Sequence, residues 1–182
     1  MSLSLPRSAA IAYVTAAVVI VLDQITKAWV LHGLDLLQRA QIDVLPFFKL
    51  SLVYNRGVSF GLLTGGETSR WLLSLFSVGV AIALAVWVWR PQPLKTVHTG
   101  PARFLNELFA LAVGLIMGGA LGNVIDRVRV GAVIDFLDFS ALRFPWVFNV
   151  ADSAITVGVI LLIVDSFFLR RGDPVGVEPG TR

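Results

Sequence analysis

Two aspartates in this sequence lie within apolar stretches, where an ionised carboxyl group is costly. Asp135 ends the run Gly131-Ala-Val-Ile, and Asp152 follows Phe148-Asn-Val-Ala at the head of a long apolar segment. An ionisable group at bilayer depth costs roughly 2.5–3.5 kcal/mol, so a functional role is the first interpretation. Two neighbouring carboxyl groups share one proton because both cannot ionise cheaply. Such a pair can activate water and protonate a peptide bond, which predicts acid–base hydrolysis.

The composition places these acids in a membrane protein. The chain has 182 residues, of which 56% are hydrophobic and only 15% charged, whereas soluble domains carry about a quarter charged residues. It contains no cysteine and two histidines, which excludes a thiol nucleophile and disulfides and argues against a zinc site. The net charge of +3 comes from scattered Lys and Arg, so nucleic-acid binding is not expected. We predict that no metal and no cofactor are required.

Four apolar segments are long enough to cross a bilayer, which needs about 20 residues. The first follows Arg7 and lacks a small-x-small cleavage motif, so we predict a retained span and not a removed signal peptide. The predicted spans cover residues 9–31, 70–89, 104–125 and 146–169.

Between the first two spans, residues 33–69 predict a small β-sheet outside the membrane. Residues 47–54 partly alternate apolar and polar side chains, Asn55-Arg-Gly57 is a turn signal, and residues 58–63 could return as a second strand. The predicted fold is therefore an all-α polytopic membrane protein. It has four transmembrane helices, a small extracytoplasmic sheet between helices 1 and 2, and a single domain over residues 1–182. The Pro- and Gly-containing tail, residues 171–182, is predicted to be disordered.

Positive charges set the predicted orientation. Arg7 precedes the first span, residues 90–103 carry three basic residues and no acid, and Arg170 and Arg171 follow the last span. By the positive-inside rule these segments are cytoplasmic, so both termini are predicted to be cytoplasmic.

Polar residues gather at the opposite ends of the third and fourth spans. Asn123, Asp126 and Arg127 are spaced to share one helix face, and Asn149 and Asp152 are spaced i, i+3 within the first turns of the fourth span. Asp135 lies on the segment that joins these spans, so Asp135 and Asp152 are predicted at the same outer level.

Two further acids have to be weighed against this pair. Asp138 is the main alternative to Asp135, and because the two side chains point to opposite faces of an extended run, only one of them can join the site. Asp165 lies about 20 Å further along the last helix, where we predict a solvated acid at the end of the span.

Two other patterns predict helix packing. Asp23 and Lys27 have the i, i+4 order that favours an ion pair at the end of the first span. Gly114, Gly118 and Gly122 recur every four residues, with Gly119 beside them, so the third span presents a nearly bare backbone face to another helix.

Two other functional classes use the same features. A small proton- or ion-coupled transporter would use Asp135, Asp152 and Arg127 for ion binding, although such sites usually lie near the midplane between repeated halves. A structural subunit would use the glycine face and leave the acids unexplained.

Five motifs, taken in order, resemble those of bacterial lipoprotein signal peptidases (signal peptidase II). They cover much of residues 9–170 and read Asp23-Gln-x-Thr-Lys27, Asn55-x-Gly57-x-x-Phe60, Gly122-Asn-x-x-Asp-Arg127, Val133-Ile-Asp-Phe136 and Phe148-Asn-x-Ala-Asp152. The resemblance implies a membrane aspartic endopeptidase that removes signal peptides from prolipoproteins just before a diacylglyceryl-modified cysteine.

The resemblance also implies roles for particular residues. The catalytic pair corresponds to Asp135 and Asp152, and Asn55 and Arg127 are implied to contact the substrate. The residues implied to line or support the pocket are Asp23, Lys27, Asn55, Gly119, Asn123, Asp126, Arg127, Asn149 and Ala151. The implied partners are diacylglyceryl-modified prolipoproteins and membrane lipids, and we expect a monomer. The implied location is the bacterial cytoplasmic (inner) membrane, with the active site at the extracytoplasmic face.

Overall fold

The fold consists of a helix bundle and a small β-sheet. The computed structural model describes residues 5–57, 66–90 and 101–169. The helices are α1 (Arg7–Ala28), α2 (Leu36–Arg39), α3 (Glu67–Trp89), α4 (Pro101–Val130) and α5 (Val150–Val164). The strands are β1 (Gln41–Leu45), β2 (Phe48–Asn55), β3 (Val133–Asp138) and β4 (Val147–Phe148). Wider π-helical turns extend α1 over Trp29–Gly33 and α5 over Asp165–Leu169.

The four predicted spans are confirmed as helices long and apolar enough to cross a membrane. Their observed bounds are Arg7–Gly33, Glu67–Trp89, Phe104–Val130 and Val150–Phe167. The largest differences from the predicted bounds are at the third and fourth spans. Helix α4 continues past residue 125 and ends before Gly131, whose positive φ of 83° breaks the helix. The last span starts after residue 146 because Val147 and Phe148 pair with β3.

Helix α4 is the central helix of the bundle and packs against α1, α3 and α5. The predicted glycine face makes this packing possible. A Cβ atom at Gly114 would lie 2.5 Å from the carbonyl oxygen of Ala12 in α1, and one at Gly118 would lie 2.7 Å from that of Ala16. Gly119 faces the other way, against the backbone of Ala151 in α5. The glycines therefore allow α1 and α5 to approach α4 at backbone contact.

We expect Gly118→Val to lower the free energy of unfolding by about 1–3 kcal/mol, because the new side chain would meet the backbone of α1 and force the helices apart. The matched control is Gly79→Val in α3, where an added Cβ has no heavy atom within 4 Å. Thermal unfolding of both purified variants in the same detergent checks the prediction. Equal melting temperatures for the two variants would contradict it.

The sheet is antiparallel with the order β1-β2-β3-β4. The strand predicted at residues 47–54 is confirmed as β2, whereas the strand predicted at 58–63 lies outside the described residues. Strands β1 and β2 lie between the first two spans, where the sheet was predicted, and the sheet also includes β3 and β4, which come from the segment after α4. Residues 133–138 show no alternation of apolar and polar side chains that would have indicated a strand, because nearly all of them are buried on both faces of β3.

The prediction that Asp165 is a solvated acid at the end of the span was wrong. This side chain is only 1% exposed, because the π-helical turn that carries it packs against α4. The predicted disordered tail, residues 171–182, lies outside the described residues.

Candidate active site

Asp135 lies in the middle of β3 and is almost completely buried, with 1% of its surface exposed. Each carboxylate oxygen accepts one amide hydrogen bond, since Asn149 donates to Oδ1 (2.7 Å) and Asn55 donates to Oδ2 (3.1 Å). Burial is the largest cause that raises the pKa of Asp135 to about 7, and repulsion from the Asp152 charge is the second. The two amide hydrogen bonds favour the ionised form and so act in the opposite direction. The carboxyl group is thus oriented by two amides and can hold a proton near neutral pH.

Asn55 reaches Asp135 because of the strand register. It is the last residue of β2 and pairs with Val133, so its side chain is a diagonal neighbour of Asp135 on the same face of the sheet. Its Oδ1 accepts a hydrogen bond from the backbone N–H of Gly57 (3.0 Å), which forms the predicted turn. The turn therefore fixes one end of the amide while the other end donates to Asp135 in β3.

Asp152 is held at the start of α5 by Asn149. The i, i+3 spacing predicted Asn149 within the helix. In the structure, Asn149 precedes the helix as its N-cap. Its Oδ1 accepts a hydrogen bond from the backbone N–H of Asp152 (2.8 Å), the usual geometry of an asparagine cap. Since Nδ2 of the same side chain donates to Asp135, one buried amide connects the two acids.

Asn123 in α4 forms a second connection between the acids. Its Nδ2 donates to Oδ1 of Asp152 (2.7 Å), and its Oδ1 accepts from Nδ2 of Asn149 (3.1 Å). Asp152 itself is half-buried, in contrast to Asp135. The two predicted catalytic residues thus belong to one network of hydrogen bonds, in which Asp152 is the more accessible acid.

A buried ion cluster supports this network from the side of α1. The ammonium group of Lys27 lies 2.7 Å from Oδ2 of Asp23 and 2.6 Å from Oδ2 of Asp126, which confirms the i, i+4 pair and adds a partner from α4. The same carboxylates bind the site backbone, since Ala151 N–H donates to Asp23 (3.0 Å) and Ile134 N–H to Asp126 (3.1 Å). The cluster therefore holds the residues that directly precede Asp152 and Asp135 in the chain.

Gln24 was not among the predicted site residues. Its Nε2 donates to Asp23 (3.1 Å), to Asp126 (3.0 Å) and to the carbonyl of Gly122 (3.4 Å). The sequence feature that could have identified Gln24 is its polar side chain beside Asp23 in an otherwise apolar span.

Arg127 lies at the accessible side of the site. It is half-buried near the end of α4 and interacts electrostatically with Asp152 and, more weakly, with Asp126 and Asp135. Asn55, at the end of β2, is exposed and contacts Asp135 from the sheet. The open side of the site is therefore formed by Asp152, Arg127 and Asn55, whereas Asp135 forms the buried side.

Asp138 occupies a separate environment, as predicted. It lies on the opposite face of β3, where it accepts hydrogen bonds from the Ser51 hydroxyl (2.6 Å) and from the backbone N–H of Ser140 (2.8 Å). The Ser51 hydrogen bond, with those from Ser140, holds the pKa of this carboxyl below its usual range. Asp138 is therefore an ionised structural acid of the sheet.

Every described residue that the sequence proposed for the site is found in or beside this network. Asp135, Asp152, Asn55, Asn123 and Asn149 form the hydrogen-bonded centre, while Asp23, Lys27 and Asp126 form the ion cluster. Gly119 and Ala151 are in backbone contact and bring α4 to α5. Within residues 5–57, 66–90 and 101–169, no three His, Cys, Asp or Glu side chains are grouped so that they could hold a metal ion.

Known proteins are similar to this chain in sequence and in fold. The family described as signal peptidase (SPase) II matches residues 15–168. A lipoprotein signal peptidase of Caulobacter vibrioides is 50% identical over 167 residues, which cover 91% of this chain and 92% of the relative. One from Shewanella loihica is 46% identical over 162 residues, with 87% of each chain covered.

Solved structures agree with the sequence relatives. A bacterial membrane enzyme determined by the in meso method at 2.3 Å resolution superposes with a TM-score of 0.69 at 26% identity, covering 92% of this chain and 94% of that one. A second, determined at 1.9 Å, superposes with a TM-score of 0.65 at 29% identity, covering 86% and 92%. Since the match extends over nearly all of the described helices and strands, this chain belongs to the signal peptidase II family.

Proposed function

We propose that this protein is a membrane aspartic endopeptidase that removes the signal peptide from diacylglyceryl-modified prolipoproteins, just before the lipidated cysteine. Membership of the signal peptidase II family supports the peptidase activity and favours it over the transporter. The observation that carries the mechanism is the pairing of Asp135 and Asp152 through Asn149 and Asn123.

In the proposed mechanism, Asp135 holds the shared proton and Asp152 acts as the base. Asp152 takes a proton from a water molecule as its oxygen attacks the scissile carbonyl carbon, while Asp135 gives its proton to the carbonyl oxygen. The resulting diol collapses as the C–N bond breaks. The leaving nitrogen then receives the proton from Asp152, and a diol hydroxyl returns one to Asp135. The pKa of about 7 at Asp135 supports its role as the proton donor.

The accessible residues of the site suit substrate binding. Arg127 can place positive charge beside the carbonyl oxygen that becomes negative in the transition state, and Asn55 can bind the peptide backbone. The remaining residues, Asp23, Lys27, Gly119, Asn123, Asp126, Asn149 and Ala151, position the acids and do not react.

The charge distribution supports a placement in the inner membrane. Both termini are proposed to be cytoplasmic, and the sheet and active site are proposed to lie at the extracytoplasmic face, where secreted precursors arrive. A diacylglyceryl anchor would hold the scissile bond at this depth, so proximity replaces extensive recognition of the mature protein. We propose a single domain that works as a monomer.

Cleavage of a purified substrate tests the activity. The purified protein in lipid should cut a diacylglyceryl-modified prolipoprotein just before its modified cysteine, both with and without EDTA, because two carboxyl groups suffice for the reaction. The matched control is the same prolipoprotein without its lipid, which should remain uncut. Mass spectrometry of the products locates the bond. Strong inhibition by EDTA would contradict the two-acid mechanism, and cleavage elsewhere would contradict the proposed specificity.

The pKa of Asp135 predicts a pH dependence. As the pH rises through about 7, Asp135 loses the proton that it donates, so kcat/KM should fall above this pH. Asn55→Ala removes a hydrogen bond that favours the ionised form, which raises the pKa of Asp135 and should move the alkaline limb upward by roughly one pH unit. The control Gln41→Ala, in the exposed strand β1, should leave the limb in place. A downward movement in Asn55→Ala would contradict the role of Asp135.

A further inference from the structure

A cavity of about 530 Å³ lies between the end of the first span and the sheet, outside the hydrogen-bonded site. Its volume is within the range of pockets that bind small molecules, about 300–1,000 Å³. The walls come from the first span, from the sheet and from the start of α5. Representative lining residues are Thr26, Trp29, Val30, Leu50, Phe136 and Val150.

The cavity offers an occupant almost no polar group. The hydroxyl of Thr26 is hydrogen-bonded to the carbonyls of Leu22 (2.8 Å) and Asp23 (2.9 Å) in its own helix. The carboxylate of Asp43 accepts a hydrogen bond from Gln41 (2.9 Å), and its side chain is 72% exposed. The remaining lining residues are apolar, so an occupant must be a hydrocarbon.

An apolar stripe on α1 leads into this cavity. Six residues at helical spacing are each at least half exposed although they are apolar: Val14, Val18, Val21, Leu22, Ile25 and Trp29. In a helix of this length and hydropathy, such a stripe faces lipid. Trp29 is both the last residue of the stripe and part of the cavity wall. The surface that lipid tails cover therefore continues into the cavity without a polar interruption.

We propose that the cavity holds the first, ester-proximal part of a fatty acyl chain of a bilayer phospholipid, and that the rest of this acyl chain lies along α1 toward the bilayer centre. The stripe is continuous with the cavity, which favours a bilayer lipid over a soluble ligand. This proposal depends on the membrane placement of the four spans and not on the catalytic roles of the aspartates.

The bound chain would pack behind the catalytic strand. Phe136 directly follows Asp135, so their side chains point to opposite faces of β3, one into the cavity and the other into the active site. Val150 likewise directly follows the cap residue Asn149. The acyl chain would thus fill space behind residues that hold the two acids.

Photolabelling from within the bilayer tests the proposal. The full-length protein is reconstituted in phosphatidylcholine vesicles that contain traces of two photoreactive phosphatidylcholines, one with a diazirine near the ester end of an acyl chain and one with a diazirine near the chain end, and labelled residues are mapped by mass spectrometry. Leu50 and Phe136, which are buried but line the cavity, should be labelled together with the lipid-facing Val18. Val113, which is buried in the helix core, should not be labelled. Labelled Val18 with unlabelled Leu50 and Phe136 would overturn the proposal.

Variants with a larger side chain at the cavity wall test whether the labelling depends on the cavity. Val44→Trp adds volume at the cavity wall from an exposed position on β1, and Thr26→Phe does so from α1, so at least one variant should fold. Each should abolish labelling of Phe136 while Val18 stays labelled. The control Ile25→Trp lies on the stripe outside the cavity and should leave Phe136 labelled. Persistent labelling of Phe136 in both filled variants would overturn the proposal.

The acyl chain could instead belong to a lipidated substrate, and one further arm separates the sources. Adding an excess of diacylglyceryl-modified prolipoprotein should leave the labelling of Leu50 and Phe136 unchanged. If the prolipoprotein displaces the label, the cavity takes the substrate's chain and the assignment to a bilayer lipid is wrong.

Discussion

Asp152→Asn and Asp135→Asn should each lower the rate of lipoprotein signal-peptide cleavage by about a thousand-fold or more, since each removes a proton acceptor or donor from the reaction. Asparagine has nearly the same shape as aspartate, and its one oxygen can still accept the hydrogen bond from Asn123 at position 152 or from Asn149 at position 135, so the fold should survive. The measurement is single-turnover cleavage of a diacylglyceryl-modified prolipoprotein, with the folded fraction of each variant determined by size-exclusion chromatography in detergent.

Asp138→Asn is the matched control for this comparison. Asp138 lies on the same strand as Asp135 and is also buried, but it faces Ser51 and not the site. This variant should retain cleavage after correction for the folded fraction. If Asp138→Asn were as inactive as Asp135→Asn, or if either catalytic variant kept substantial activity, the assignment of the acid pair would be wrong.

Lys27→Met should destabilise the protein by about 3–5 kcal/mol, because it leaves the carboxylates of Asp23 and Asp126 buried without their shared cation. Cleavage should fall as well, since the same carboxylates bind the backbone of Ala151 and Ile134 beside Asp152 and Asp135, the proposed catalytic pair. Thermal unfolding in detergent measures the first effect. Initial rates below the melting temperature measure the second.

The ion pair of Lys49 and Asp43 supplies the control. These groups are 3.8 Å apart and the Asp43 side chain is 72% exposed, so Lys49→Met should change the melting temperature very little. Adding Asp23→Asn to Lys27→Met should recover part of the lost stability by removing one of the two stranded charges. No recovery in the double variant would indicate that Lys27 acts through packing and not through charge.

The sequence predicted those features that repeat or that cost energy in a membrane. Runs of about 20 apolar residues identified all four spans, and the four-residue glycine period identified the packing face of α4. Asp135 and Asp152 were identifiable because carboxyl groups are rare in apolar stretches. The pair of Asp23 and Lys27 was identifiable because both residues lie on one helix face.

Long-range pairing was not predictable in the same way. The contact of β3 with β2 joins residues about 80 positions apart, and the buried sequence of β3 has no strand period to reveal it. The role of Asn149 depends on the residue at which α5 begins. Because Val147 and Phe148 form a short strand, α5 begins only at Val150, and Asn149 becomes its N-cap. Asp165 resembled a solvated helix end until the packing of its π-helical turn against α4 was known.

The double role of Asn149 has a consequence for inhibitor design. One end of its amide binds Asp135, the other caps the helix that carries Asp152, and the side chain is completely buried. The spacing of the two acids is therefore set before any ligand arrives, and changing it would break a buried hydrogen bond. A rigid ligand whose hydrogen-bond donors match this spacing would lose little entropy on binding, whereas a flexible one would have to be ordered by the site. Rigidity in the ligand should thus increase affinity more than additional contacts to the outer surface.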